Sequence, residues 1–109
     1  MSAPFVSQIR ARAGELRVGA ADATDVLHLR VQLETTWDII RVTAPADTPV
    51  VAVKSRALAE LDPRAAFHED FVLKHEGWEI LDENATLAAA GVRDGSTLIL
   101  MPRRRRPVR

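Results

Sequence analysis

Apolar and polar residues begin to alternate strictly at Val26. In VLHLRVQLE (26–34), Leu27, Leu29, Val31 and Leu33 are separated by His28, Arg30, Gln32 and Glu34. A period of two places the two sets on opposite faces of a β-strand, one buried and one wet. After the polar turn Glu34-Thr35-Thr36, WDIIRV (37–42) supplies a second strand, with Ile40 and Val42 inward and Trp37 on the opposite face. The period then lengthens. In APADTPVVAVKSRALAELDP (44–63), Val50, Val53, Ala57 and Leu61 share one face of a helix, flanked by Val51 and Leu58. Asp47 or Thr48 is its expected cap, Pro49 its first residue, and Pro63 its end. DPRAAF (62–67) reads as a separate short helical turn.

Strands resume at FVLKHEGWEIL (71–81), which reads as strand, turn at Gly77 and short strand. ATLAAAGV (85–92) is one helical turn in which Thr86 caps, Leu87 packs inward and Gly91 stops it. The turn Arg93-Asp94-Gly95 leads into STLILM (96–101), with Leu98 and Leu100 on one face and Ile99 and Met101 on the other. Pro102 cannot donate a ladder hydrogen bond, so pairing is expected to stop there. Ahead of all this, Phe5, Ile9, Ala13 and Leu16 have roughly helical spacing, with Ser7 as a cap and Gly19 as a stop. The stripe is thin. The expected organisation is an N-terminal extension over 1–25, mobile or a short helix, a domain over 26–102, and a tail over 103–109.

At 109 residues the chain has material for one core and not two. It has no cysteine, which excludes disulfides, thiolate metal sites and cysteine nucleophiles. No apolar run reaches the roughly 18 to 20 residues that span a bilayer, and no apolar secretory core opens the chain; a cytoplasmic location is expected. The net charge of zero conceals an asymmetry. Residues 103–109 hold five arginines and no acid, so removing them from 15 basic and 15 acidic residues leaves 10 against 15, a net of −5. Such segregation marks a solvated tail with a partner of its own, or one that folds back on its domain.

Catalytic signals are weak. His28, His68 and His75 are the only groups suited to proton transfer near neutral pH, and each is expected to be a solvated surface histidine. His68-Glu69-Asp70 is at most a weak metal clasp, and no phosphate loop or nucleophile elbow occurs. The expectation is no enzyme, no metal and no cofactor.

The order ββ, helix, β, short β, short turn, β resembles ubiquitin and its relatives, the β-grasp fold. The residues that carry the resemblance are Thr86-Leu87, Val92, Gly95, Ser96-Thr97-Leu98 and Leu100, with Asp47-Thr48, Val53-Lys54 and the strand from Phe71 to Gly77. It implies an α+β fold, a mixed sheet of four to five strands covered by one helix, with the last strand in mid-sheet beside the strand at 26–34. Conjugated members end in a flexible Gly-Gly tail that an activating enzyme threads through a narrow channel. Here Arg103, Arg104, Arg105, Arg106 and Pro107 occupy that stretch, whose bulk and fixed φ speak against such a channel. The family's hydrophobic recognition patch draws on the first hairpin turn, the third strand and the last strand. In this chain those positions are Glu34-Thr35-Thr36, Lys74, and Ile99 with Met101.

Taken together, the chain is similar to prokaryotic ubiquitin-like proteins of the YukD-like (EsaB-like) group associated with type VII secretion. That resemblance implies a non-enzymatic protein-interaction module, an accessory of a bacterial type VII-like secretion system. The partner surface expected is Trp37, Lys74, Ile99 and Met101, because exposed tryptophan is enriched at interface hot spots. Trp78, just past the glycine turn, is the other candidate; the alternative for both tryptophans is to cap an end of the core or pack on the N-terminal extension. Arg103, Arg104, Arg105 and Arg106 would act as a clamp on an acidic protein partner. The competing functions are a covalent modifier with an atypical C-terminus, and a tail-driven contact with nucleic acid or anionic membrane. The acidic body repels both of those surfaces, and no aromatic residue interleaves the arginines to stack a base.

Overall fold

A computed structural model describes residues 11–20 and 22–103. The elements are β1 (Ala11–Arg17), β2 (Val26–Leu33), β3 (Ile39–Pro45), α1 (Val50–Leu61), a 3₁₀ turn (His68–Asp70), β4 (Phe71–His75), β5 (Trp78–Glu79) and β6 (Thr97–Pro102). The strands form one sheet in the order β1-β3-β2-β6-β4-β5. β2 runs parallel to β6, β1 runs parallel to β3, and the remaining pairs are antiparallel. This is an α+β β-grasp sheet under a single helix.

The alternation seen in the sequence sets the two faces. Leu29, Val31 and Leu33 of β2, Ile40, Val42 and Ala44 of β3, Leu73 of β4, and Leu98 and Leu100 of β6 form one cluster with Val50, Val53, Ala57, Leu58 and Leu61 of α1. β6 is the most apolar strand because it lies between β2 and β4, so its inward side chains are enclosed from both sides. The β4–β5 hairpin turns at Glu76 and Gly77, with φ of 53° and 87°. Two central residues with positive φ are what a two-residue loop of matching twist requires, and glycine meets that demand without steric cost.

Several local expectations change. Residues Ala11–Arg17 are a strand, not part of a helix, and bring the sheet to six strands. β1 pairs the outer edge of β3 through Glu15↔Arg41, Leu16↔Val42 and Arg17↔Thr43, and the Val18 N–H donates to Thr43 O at 2.9 Å. Val18 is buried and Leu16 packs on the core, so the meaningful period was two, in Leu16 and Val18. Gly19 does not stop a helix: its φ is +91°, and a Cβ there would lie 2.9 Å from Pro45 Cδ. Phe5, Ser7 and Ile9 lie outside the described residues.

Neither Asp47 nor Thr48 caps α1, and Pro49 is the N-cap rather than the first helical residue. The first N–H groups of the helix, those of Val50 and Val51, instead donate to Ala85 O and Glu83 O, at 2.9 and 2.8 Å. A helix end needs acceptors, and backbone carbonyls serve as well as a side chain. Thr86 does cap its short turn, its Oγ1 accepting the Ala89 N–H at 3.0 Å. The short helical segment expected at 62–67 falls one step later, at His68–Asp70. Pairing also continues past Met101: Pro102 is opposite Phe71, and the Arg103 N–H donates to Asp70 O at 2.7 Å. Successive N–H groups point to opposite neighbours, so the missing donor of Pro102 faces the β2 side, where that strand has already ended at Leu33.

Candidate functional site

The helix covers one face of the sheet, and the other carries the outward residues of every strand. Cross-strand register arranges them in rows. One row runs Ile39, Gln32, Ile99, Lys74 and Glu79, from β3 through β2, β6 and β4 to β5. The next row toward the strand ends pairs Met101 with Val72. Ile99, Met101 and Lys74 are all half-buried, so their side chains offer partial apolar area and one cation to the outside. Val72, Lys74, Glu79, Met101, Pro102 and Arg103 line a shallow hollow of about 490 Å³ at this end. The fold thus gathers Lys74, Met101 and Arg103, with Ile99 as the immediate neighbour of Lys74.

Arg103 is held at the rim. Its Nε donates to Glu69 O at 3.1 Å, and its Nη1 lies 3.5 Å from Glu79 Oε2. Together with the backbone bond to Asp70, these contacts fix the position of Arg103 itself. Arg104, Arg105 and Arg106 lie outside the described residues.

Trp37 is not on a strand. It sits in the loop between β2 and β3, its N–H donating to Leu33 O at 2.8 Å, with φ of +66° and 66% of its surface exposed. A bulky residue in the left-handed region is uncommon, and so is an indole left in water. This loop is at the same end of the sheet as Met101, because Glu34 N–H donates to Leu100 O at 2.8 Å. Trp78 is 79% exposed at the opposite end, past the Glu76-Gly77 turn, beside an open groove that includes Ile80, Leu81 and Ala89. Neither tryptophan caps the core. Leu81, 83% exposed, was missed from the sequence; its signal was the apolar pair Ile80-Leu81, of which a strand can bury only one.

The histidines divide. His28 is outward and exposed, its Nδ1 3.0 Å from Asp94 Oδ1, while the same carboxylate accepts the His28 N–H at 2.7 Å. These bonds, the backbone one foremost, hold the Asp94 carboxyl below the usual carboxylate range. His68 is half-buried beside Glu69, at 3.5 Å. His75 is not solvated: it faces inward opposite Leu98, 9% exposed, with Nε2 3.1 Å from Ser96 Oγ. Among the described residues no three His, Asp or Glu side chains are grouped to hold a metal ion, and no helix is long and apolar enough to cross a membrane.

Solved structures with this architecture are ubiquitin-like. The C-terminal ubiquitin-like domain of mouse tubulin-specific chaperone e is 16% identical with a TM-score of 0.66, over 82% of this chain and 100% of that one. Caldiarchaeum subterraneum ubiquitin is 18% identical with a TM-score of 0.62, over 75% and 99%. The ubiquitin-like domain of an Arabidopsis thaliana protein is 14% identical with a TM-score of 0.62, over 83% and 90%. At such identities the likeness is one of fold. No curated protein matches the chain by sequence. The family model described as "WXG100 protein secretion system (Wss), protein YukD" matches residues 28–100, from His28, the third residue of β2, to Leu100 of β6. With more than half of its length matched, and a ubiquitin-like sheet and helix beneath the match, the chain belongs to the YukD family.

Proposed function

We propose that this protein is a non-enzymatic interaction module of a bacterial type VII-like secretion system, and that it captures another protein on the face of its sheet opposite the helix. The observation that supports this most is the hollow where Lys74, Met101 and Arg103 converge beside the half-buried Ile99. Aliphatic surface supplies the non-directional part of binding and the rim cations supply orientation. Trp37 stands at the same end, strained and exposed, which are costs that a partner's contact would repay in the complex. Arg103, the first arginine of the tail, stands on the rim of this hollow. Membership of a secretion-system family supports the setting. The tail's charge supports a partner that is acidic where the two meet.

The test is an affinity capture from native cells with an N-terminal tag, read by intact-mass and peptide mass spectrometry. Expected are full-length protein and salt-sensitive, non-covalent partners that are lost with Met101→Glu and with Trp37→Ala while the circular dichroism spectrum is kept. If both variants capture the same proteins as the parent, the open face is not the binding surface. A truncated chain joined by an isopeptide bond to other proteins would replace the reading with that of a covalent modifier.

A further inference from the structure

One row further from the tail, the open face changes character. Arg30 of β2 lies directly opposite Arg41 of β3, and both are exposed. Their outward direction follows from their neighbours, since Leu29, Val31, Ile40 and Val42 are buried on the other face. Like charges in direct cross-strand register repel and destabilise a sheet. One acidic residue flanks the pair, and only on the Arg41 side. Glu15 is opposite Arg41 on β1, and Thr97 is opposite Arg30 on β6. Yet among the described residues neither arginine lies within ion-pair distance of an acid, although Lys54, Arg93 and Arg103 each do. The row Glu15, Arg41, Arg30 and Thr97 therefore holds two cations against one acid, a local positive excess on a body whose residues 1–102 carry a net of −5.

Rows on one face of a sheet are two residues apart along each strand, which is about 6.7 Å. The facing side chains of an extended peptide laid along the strands repeat at the same distance. Read in that direction, the face presents the arginine pair, then Ile39, Gln32 and Ile99, then Met101. We infer that the open face holds an extended acidic segment of a partner protein, in which a carboxylate at one position sits on Arg30 and Arg41 and aliphatic residues two and four positions away lie over Ile99 and Met101. This rests on the reading of the open face as the capture surface and specifies what it captures. The chemistry favours a carboxylate on a peptide over a phosphate backbone. A nucleic acid strand would carry its charge onward over Ile39, Ile99 and Met101, and would meet Glu15 and Glu79 at the two edges of the face. No aromatic side chain lies in these rows to stack a base.

The experiment is an NMR titration of the ¹⁵N-labelled full chain with a synthetic peptide, acetyl-Ser-Glu-Ser-Val-Ser-Ile-Ser-amide. Its counterpart with Gln for Glu and a single-stranded oligothymidine serve as controls. The inference expects shifts concentrated at residues 30, 32, 39, 41, 99 and 101. It expects binding at least tenfold weaker for the Gln peptide, and at least tenfold weaker for Arg30→Gln/Arg41→Gln. That double variant should also melt at a higher temperature than the parent, because the cross-strand repulsion is gone; a merely structural pair would melt lower. A second variant, Arg41→Thr, keeps a good strand former at the site and should reproduce both effects.

Equal affinity for the two peptides overturns the inference, as does no peptide binding, oligothymidine binding through the same arginines, or concentration-dependent shifts of the chain alone at these positions. The parent reading is judged separately. If Met101→Glu removes peptide binding while the arginine variants leave it intact, only the carboxylate subsite falls. If neither changes it, both readings fall.

Discussion

Replacing Lys54 should unfold much of what the helix organises. Its residue surface is 0% exposed, yet it carries a charge: Nζ lies 2.6 Å from Glu83 Oε1 and donates to Phe71 O at 3.0 Å. One side chain thereby joins α1, the start of β4 and the 82–85 loop. That loop is also the helix cap, since Glu83 O accepts the Val51 N–H. Lys54→Met keeps most of the volume and removes only the charge and its donors. The Glu83 side chain is 17% exposed and recovers little water, so its carboxylate is left without compensation.

Breaking a buried pair from one side costs about 3–5 kcal/mol, and the partial access of Glu83 places this case near 3 kcal/mol. Against a total stability of about 5–15 kcal/mol this is a large fraction. For a domain of this size each kcal/mol is about 4–8 °C in Tm, giving a fall of about 12–24 °C. Lys54→Met/Glu83→Leu removes both charges and should return to within about 1 kcal/mol of the parent, because desolvation offsets most of the attraction in a buried pair. Urea unfolding followed by far-ultraviolet circular dichroism measures both; fluorescence would serve poorly with both tryptophans largely exposed. A single variant as stable as the parent, or a double variant as unstable as the single, would refute the idea that the pair is coupled and buried as described.

Three further outcomes can be checked on the same material. Trp37→Gly should be more stable than Trp37→Ala by about 1 kcal/mol: both lose the indole, but glycine sheds a left-handed strain of about 1–2 kcal/mol and gives back about 0.4–1 kcal/mol in unfolded-chain entropy. A more stable alanine variant would mean the loop is not strained. Gly19→Ala should cost about 2 kcal/mol or more, from its positive φ and from the approach of the new Cβ to Pro45 Cδ; an unchanged Tm would show that the end of β1 is free to shift. Asp94 should titrate in the folded protein below free aspartate, as read from its side-chain carbon shift. A depressed folded-state value means its bonds to His28 stabilise the fold above the unfolded pKa, and that contribution is lost as pH falls through the folded value. A midpoint at or above that of free aspartate contradicts the two hydrogen bonds.

The parts of this fold that could be read from the sequence are those in which a strand or helix reports on its own burial. β2, α1 and β6 each repeat their period several times, and each repeat is an independent vote for the same face. Among the described side chains at this end, Leu16 of β1 and the adjoining Val18 reach the core, and two residues cannot outvote a longer helical spacing that includes Phe5 and Ile9. Interactions that join distant segments left no local trace. The cap of α1 comes from carbonyls more than thirty residues downstream, so searching Asp47 and Thr48 for it could not succeed. Lys54 follows the same logic: its burial depends on Glu83, which no periodicity in the helix announces. His75 is different, because it shares its phase with Leu73 and could have been placed inward from the alternation of β4 alone.

The candidate surface divides along the same line. Lys74, Ile99 and Met101 were legible as outward positions, since outwardness is the complement of burial. Their convergence needed the order of strands, in which β6 lies beside β4. The pairing of Arg30 with Arg41 needed more still, namely a register, because sliding β3 by one residue would send Arg41 into the core and bring Ile40 or Val42 out. The buried partners Val31↔Ile40 and Leu29↔Val42 hold that register, and so the core enforces an unfavourable contact on the opposite face. A sheet free to choose its surface residues has no reason to keep two arginines there. The repulsion is a feature that packing imposes on geometry but not on residue identity, and a carboxylate from outside is the simplest thing that would make those identities useful.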